Sequence, residues 1–93
     1  MERMKRPAVT VLSDRSLIPP ANLISPPPNR FSHATTHELP YFWSEEALDE
    51  APAGTFEADL RVLLLREDGR YARVVDERGL YAIVELAGLS PIV

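Results

Sequence analysis

The positions of proline and glycine divide this chain into two halves that follow different folding rules. Eight of its nine prolines lie in residues 1–52, whereas all four glycines lie between residues 54 and 88. Proline fixes the backbone φ angle, removes an amide donor and holds the preceding residue in an extended conformation. The first half is therefore unsuited to long helices and central strands, whereas the second half has the glycines that tight turns use.

The first half is predicted to be an extended, proline-rich arm. Residues 17–20 and 24–28 are interpreted as polyproline-like segments, and residues 7–12, rich in β-branched side chains, as a short strand. The arm nevertheless carries more apolar side chains than disordered chains usually have. We therefore expect residues 1–52 to lie on an apolar surface, which belongs to the chain's own barrel, to a second copy or to another protein.

A single short helix is predicted near residues 44–50. Ser44 is a favourable N-cap residue, and the two glutamates after it place negative charge in the first helical turn. Pro52 limits this helix to one or two turns.

The second half has the alternating pattern of β-strands. Along residues 56–66, three side chains fall on one face of the predicted strand and three on the other. The first set is Leu60, Val62 and Leu64; the second is Arg61, Leu63 and Leu65. The Asp68-Gly69 pair then predicts a hairpin turn.

Two more turns continue this pattern, at residues 76–79 and at Ala87-Gly88. Residues 71–76 are predicted to form the return strand, and Gly79 ends a second turn before a third strand at residues 80–86. A short final strand follows at residues 89–92. Closely spaced strands joined by tight turns predict a mainly β fold, with a small barrel over residues 53–93.

Residues 47–93 resemble SH3-like barrel domains. Four stretches are similar to the first strand after the long loop, the n-Src turn, the distal hairpin and the closing strand. They are residues 58–63, 67–74, 76–80 and 88–92, and residues 47–49 are weakly similar to the opening signature of the family. The resemblance implies an SH3-like barrel of bacterial or divergent type.

The departures from the family bear on its peptide groove. The tyrosine pair of the opening signature is replaced by Asp49 and Ala51, and the paired tryptophans by Arg70 and Tyr71. The Pro-Ser-Asn-Tyr stretch is replaced near residues 84–87. The resemblance therefore implies the barrel without most of the peptide groove, and function has to be argued from a site.

Composition excludes several functional classes. The chain has no cysteine, which removes disulfides and thiolate metal sites and favours a cytoplasmic location. It lacks the run of ~18 apolar residues that a membrane-spanning helix needs. Residues 31–68 carry a net charge of −7, which repels phosphate backbones, so no nucleic-acid partner is expected.

Catalytic chemistry is not expected either. His33 and His37 have a spacing that would bring two imidazoles to one metal on a helix, but Thr35-Thr36 and Pro40 disfavour a helix there. No serine lies in a nucleophile-elbow sequence, and no glycine-rich phosphate loop is present. We therefore predict no catalytic residue, metal, cofactor or small-molecule substrate.

The aromatic run Tyr41-Phe42-Trp43 is a candidate interaction site. Tyrosine and tryptophan are enriched at the centres of protein interfaces, but the alternative is that the run closes one end of a small barrel. Three consecutive aromatic side chains cannot all face one way in an extended chain, so we expect at least one to face a surface.

A second candidate is the outer face of the predicted sheet. Leu63 and Leu65 could form an apolar patch there with Tyr71, Val75 and Ile83. Either the arm or another chain covers this patch, or the chain's own N-terminal half buries it.

Together these features predict a non-catalytic protein-interaction module that binds a protein partner or forms a homo-oligomer. The alternative is a small accessory subunit or maturation factor of a larger enzyme complex. The predicted contact residues are Tyr41, Phe42, Trp43, Leu63, Leu65, Tyr71, Pro26, Pro27 and Pro28.

Overall fold

A computed structural model describes residues 18–92 as a mainly β fold. The seven strands are β1 (His33–Thr35), β2 (Leu39–Tyr41), β3 (Gly54–Phe56), β4 (Arg61–Asp68), β5 (Tyr71–Asp76), β6 (Tyr81–Glu85) and β7 (Leu89–Pro91). Three short 3-10 helices span Pro20–Asn22, Glu46–Asp49 and Leu86–Gly88. The strand predicted at residues 7–12 lies outside the described residues.

Two antiparallel sheets enclose the core. Five strands form one sheet in the order β6-β5-β4-β1-β7, and β2 pairs with β3 in a separate hairpin. Phe42, just after β2, joins the two sheets by pairing with Ile83 of β6. The amide of each residue donates to the carbonyl of the other, at 2.9 and 2.8 Å. The β2–β3 hairpin therefore lies against the β6 edge of the larger sheet.

The predicted division of residues 60–65 into two faces is confirmed. Val62 of β4 is buried in the core, with Leu60 and Leu64 packed against it. The same alternation places further apolar side chains from β5 and β6 in this core: Ala72, Val74, Ala82 and Val84. Period-two alternation identified the inward-facing side chains because each of these strands covers one side of a single apolar core.

The two predicted turns that contain Gly69 and Gly79 are present, and the third, at Ala87-Gly88, is part of the 3-10 helix Leu86–Gly88. Gly69 and Gly79 adopt positive φ angles of 63° and 89°, which glycine adopts without the cost that a Cβ imposes. The second turn is held by Asp76, whose side chain is buried. Its carboxylate accepts hydrogen bonds from the backbone amides of Arg78 and Leu80, at 2.8 and 3.0 Å, and pairs with the Arg78 guanidinium at 2.7 Å.

The continuous strand predicted over residues 56–66 is wrong. β3 ends at Phe56 and β4 begins at Arg61, with a turn between them at Asp59, whose φ angle is 64°. Thr35 stabilises this turn: its hydroxyl donates to the Glu57 carbonyl at 2.6 Å and accepts from the Leu60 amide at 2.9 Å. The turn depends on a residue more than 20 positions earlier, so local periodicity did not indicate it.

The boundary predicted at residue 53 also differs from the structure. β1 and β2 lie within the predicted arm, yet β1 pairs with both β4 and β7 inside the larger sheet. β1 and β2 have only three residues each, which is too short for an alternation pattern to appear. Pro40 is accommodated in β2, a strand of the small two-stranded sheet.

The predicted helix is a single 3-10 turn, Glu46–Asp49. Ser44 does not cap it through its side chain; instead its backbone carbonyl accepts a hydrogen bond from the Ala47 amide at 3.2 Å.

Residues 18–24, which we call the strap, pack on the chain's own barrel. Ile18 is buried in the core, and the Ile24 amide donates to the Gly79 carbonyl at 2.7 Å. Between them, the side-chain amide of Asn22 donates to two backbone carbonyls, those of Trp43 at 2.9 Å and Tyr81 at 2.7 Å. The strap thus connects the β2 end to the start of β6.

Asn22→Leu is expected to destabilise the fold. The change removes the donor of two part-buried hydrogen bonds, so the free energy of unfolding should fall by about 2–3 kcal/mol. Urea denaturation measures this, and Asn29→Leu is the matched control, because Asn29 is exposed. Equal losses for the two variants would contradict the role assigned to Asn22.

Gly79→Ala is expected to cost more stability than Gly69→Ala. Both variants force a Cβ into the left-handed region, at about 1–2 kcal/mol each. At Gly69 an added Cβ meets nothing, but at Gly79 it collides with the carbonyl oxygen of Ile24. The free energy of unfolding should therefore fall by about 1 kcal/mol more in Gly79→Ala than in Gly69→Ala, and this difference measures the overpacking against the strap. No difference between the two urea midpoints would show that the strap does not press on this turn.

Candidate interaction surface

The aromatic run divides between the core and the surface. Tyr41 and Trp43 pack against the core, where the Tyr41 ring lies 4.5 Å from the Phe56 ring and 5.3 Å from the Trp43 ring, between centroids. Phe42 lines a surface cavity instead. The run therefore closes part of the barrel with two rings and presents the third outside, as the geometry of an extended chain requires.

Tyr71, the first residue of β5, lies between two neighbouring cavities. The larger has a volume of about 300 Å³ and the smaller about 180 Å³. We call these cavities together the Tyr71 surface. The larger is lined by Glu45, Leu48, Asp68, Tyr71, Ala72, Arg73 and Ile83, and the smaller by Pro40, Phe42, Pro52, Tyr71 and Glu85.

The walls of the Tyr71 surface come from two parts of the chain. One wall is the outer face of β5 and β6, and the other is the segment between β2 and β3, which contains the 3-10 helix Glu46–Asp49. The segment contributes Phe42, Leu48 and Pro52, and β2 before it contributes Pro40; all four are rigid or apolar side chains. Rigid apolar walls lose little conformational entropy when a ligand binds, so such a surface is suited to binding another chain.

Arg73 holds the two walls together. Its guanidinium donates to Glu45 Oε2 of the segment at 2.6 Å, to Asp68 Oδ2 of β4 at 3.2 Å, and to the Tyr81 hydroxyl of β6 at 3.2 Å. The hydrogen bond with Tyr81, followed by that with Asp68, raises the pKa of Arg73 above its usual value. Because an arginine side chain stays protonated in proteins, all three hydrogen bonds are charge-assisted.

Charge surrounds the apolar centre of the surface. Glu85 pairs with Arg70 at 2.7 Å, and the Arg70 guanidinium lies 5.5 Å from the centre of the Tyr71 ring, within cation–π range. The Arg70–Glu85 hydrogen bond is the main cause that raises the pKa of Arg70. Glu45 and Asp68 at the other side contribute two further carboxylates. The rim thus presents acidic groups, each with an arginine partner.

The predicted outer patch does not form as one surface. Val75 and Ile83 are buried, and Leu63 pairs with Val75, four residues along β5 from Tyr71. Leu65 is 47% exposed at a bulge between Leu64 and Arg66, where the pairing register shifts. Of the patch residues, only Tyr71 and Ile83 reach the Tyr71 surface, because the bulge turns Leu65 away from the regular alternation.

The three consecutive prolines lie elsewhere. Pro26 and Pro27 are exposed and Pro28 is half-buried, in the connection between the strap and β1. None of them lines either cavity of the Tyr71 surface.

The two histidines lie on a strand and a loop. Nδ1 of His33, in β1, is 2.9 Å from the Ser32 hydroxyl, and Nδ1 of His37 donates to the Glu38 carbonyl at 2.7 Å. Within residues 18–92, no three His, Asp or Glu side chains are placed to hold a metal ion. Across the same part of the chain, no helix has the length and apolar character to cross a membrane.

Several residues of the Tyr71 surface were not anticipated from the sequence. Pro40 and Pro52 were interpreted only as breaks in secondary structure, and Leu48 as part of the short helix. The sequence did contain one indication that Arg73 belongs to this surface. Arg73 occupies an outward position between Tyr71 and Val75 on a strand whose inner side chains are apolar. The contact between Arg73 and Glu45 could not be expected, because 28 positions separate them.

Comparison with known proteins adds no relative: the chain matches no family model, no curated protein and no solved structure.

Arg73→Gln is expected to loosen the segment that carries Leu48. The variant removes the charge that holds Glu45 and Asp68, and Arg73 is only 21% exposed, so unfolding should become easier by about 1–2 kcal/mol. Hydrogen exchange at the Ala47 and Leu48 amides, which close the 3-10 turn, should accelerate more than exchange in β5.

The control for this prediction is Arg66→Gln. Arg66 also pairs with Asp68, but it is 68% exposed, and exposed ion pairs contribute about 0–1 kcal/mol. Equal effects of the two variants, or unchanged exchange at Ala47 and Leu48 in Arg73→Gln, would refute the contact between the walls.

Proposed function

We propose that this protein is a non-catalytic protein-interaction module whose partner binds at the Tyr71 surface. The observation that carries the proposal is the position of Tyr71 between two adjoining cavities with apolar and proline-lined walls. Tyrosine offers a large, stiff contact area with a polar tip, which is why it recurs at the energetic centres of interfaces.

The apolar walls of this surface favour a particular kind of partner. Phe42, Leu48 and two prolines line the cavities, whereas the carboxylates of the rim are each already paired with an arginine. A bound segment with apolar side chains would match the walls without having to neutralise the rim. The partner we propose is therefore a protein segment with apolar side chains.

We propose that the proline-rich part of the chain also takes part in binding. Pro26 and Pro27 are exposed, and consecutive prolines have little conformational freedom to lose on binding.

The fold family and the location are further parts of the proposal. We propose an SH3-like barrel, and the strand order β6-β5-β4-β1-β7 supports it. The lack of cysteine favours a cytoplasmic location for the module.

Tyr71→Ala is expected to weaken partner binding by roughly 30-fold, the effect of losing a side chain worth about 2 kcal/mol. A tagged chain first isolates the partner from its native host, and calorimetry then gives the affinity of each variant. Leu65→Ala is the control, since Leu65 is exposed but lies outside both cavities.

The result decides between two outcomes. A loss of affinity that is specific to Tyr71→Ala supports the proposal. If the isolated partner is an enzyme subunit, the same result identifies the module as an accessory subunit. Binding that survives Tyr71→Ala and falls in Leu65→Ala would refute the Tyr71 surface as the binding site.

A further inference from the structure

A second groove lies at the end of β5 opposite Tyr71, between the turn that precedes β4 and the turn that follows β5. It consists of two adjoining cavities of about 280 Å³ each, which share Glu57, Leu60 and Glu77 as lining residues. Part of the lining is apolar, because Leu60 and Phe31 are half-buried and Phe56 is buried. We call the two cavities together the acidic groove.

Three carboxylates of the acidic groove have no partner in the described chain. Glu57, Asp59 and Glu77 are exposed, and their side chains form no hydrogen bond or ion pair with another residue in the range 18–92. They outnumber the opposing charge of Arg61, since the other arginine of this lining is paired with the buried Asp76. The carboxylates of the Tyr71 surface, in contrast, each have an arginine partner.

The sequence contains a segment of complementary character. Residues 3–6 carry three positive charges and no acidic residue, and residues 7–12 are uncharged, apolar for the most part and rich in β-branched side chains. We call residues 3–12, which lie outside the described residues, the basic segment. Its charges match the unpaired carboxylates of the acidic groove, and its valines match the apolar part of the lining.

The strap brings the basic segment within reach of the acidic groove. The Ile24 amide bonds to the Gly79 carbonyl, two residues from Glu77. An extended chain advances about 3.3–3.6 Å per residue, so the strap separates Ile18 from Ile24 by at most roughly 20 Å. By the same measure, the chain from Lys5 to Ile18 spans up to roughly 45 Å. Lys5 can therefore reach Glu77.

We propose that the basic segment of each chain binds in the acidic groove of the same chain. Tethering gives such a segment an effective concentration in about the millimolar range, which exceeds that of a second copy or of another basic protein. The inference goes beyond the proposed function and does not depend on it, because no lining residue of the acidic groove lines the Tyr71 surface.

The nature of this contact determines how it responds to salt. Exposed ion pairs are individually weak and are screened as ionic strength rises. Binding therefore depends on several charges acting together, and it weakens in concentrated salt. A bound segment also keeps other basic proteins out of the acidic groove, which leaves the Tyr71 surface as the open binding site of the molecule.

The lysine content of the chain allows a direct test, because Lys5 is its only lysine. A water-soluble carbodiimide activates carboxylates, the Lys5 amine attacks the activated carbon to form an amide bond, and the carbodiimide leaves as its urea. No spacer is added, so only carboxylates in contact with Lys5 react. The unaltered chain is mixed with its isotope-labelled form and treated at low and high salt. Mass spectrometry of the linked peptides then identifies the carboxylate and shows whether one chain or two were joined.

We expect Lys5 to be linked to a carboxylate of the acidic groove of the same chain, with a yield that falls roughly threefold or more in 1 M salt. Glu46 and Asp49 are the internal controls, because they are exposed carboxylates on the 3-10 helix outside this groove. Links mainly at these two residues, links mainly between chains, a yield indifferent to salt, or no link at all would overturn the proposal.

Hydrogen exchange of the full chain provides a second measurement. Glu57→Gln/Glu77→Gln should accelerate exchange at the amides of residues 9–12 several-fold, because the substitutions remove charges that hold the basic segment. The matched control is Glu46→Gln/Asp49→Asn, which removes two exposed charges elsewhere. Acceleration in both variants, or in neither, would overturn the proposal.

The variant Tyr71→Ala separates this inference from the proposed function. It should weaken partner binding and leave the Lys5 cross-link unchanged, because Tyr71 does not line the acidic groove. A cross-link yield that falls in Tyr71→Ala would assign the basic segment to the Tyr71 surface and overturn the inference.

Discussion

The side-chain amide of Asn22 lies where three parts of the chain meet, and the arrangement of the barrel depends on it. Ile83 of β6 pairs with Phe42, but the chain turns away from β6 at the next residue, Trp43. This leaves the carbonyls of Trp43 and Tyr81 on the two sides of a gap between the segments. One amide group donates to both of them. A buried carbonyl without a donor costs more than an average hydrogen bond contributes, so this position needs a short polar side chain with two donors. The strap, the β2–β3 hairpin and the larger sheet are therefore interdependent.

The same stretch of chain contributes to the core and to the exterior. Tyr41 and Trp43 pack inward while Phe42 faces out, so one short segment stabilises the barrel and forms part of a cavity wall. Arg73 has a comparable double role, because it satisfies Tyr81 of the sheet and attracts Glu45 of the opposite segment. The shape of the Tyr71 surface is thus set by contacts that also contribute to stability, and its walls are placed before any ligand arrives.

Sequence patterns predicted the parts of the fold that are determined locally. The β4–β5–β6 meander follows from alternation and from two turn glycines, and alternation separated Val62 and Leu64 from Leu63 and Leu65 on the other face of β4. β1 was missed, because three residues carry no period and the strand exists through its partners β4 and β7. The turn at Asp59 and the bonds of Asn22 were missed for the same reason. Tyr71 and Phe42 were predicted as contact residues, but the prolines and Arg73 that complete the surface are brought to it only by long-range contacts.

The bulge in β4 also affects how the molecule behaves in crowded solution. β1 pairs with β4 only at Arg61 and Val62, so within the described chain residues 66–68 have a strand partner on the β5 side alone. An open strand edge of this kind is a template on which other chains can add and aggregate. Here the irregular register and the consecutive charges of Arg66, Glu67 and Asp68 make the edge a poor template. The longest strand within residues 18–92 therefore extends past its neighbour with an edge that is poorly suited to adding further chains.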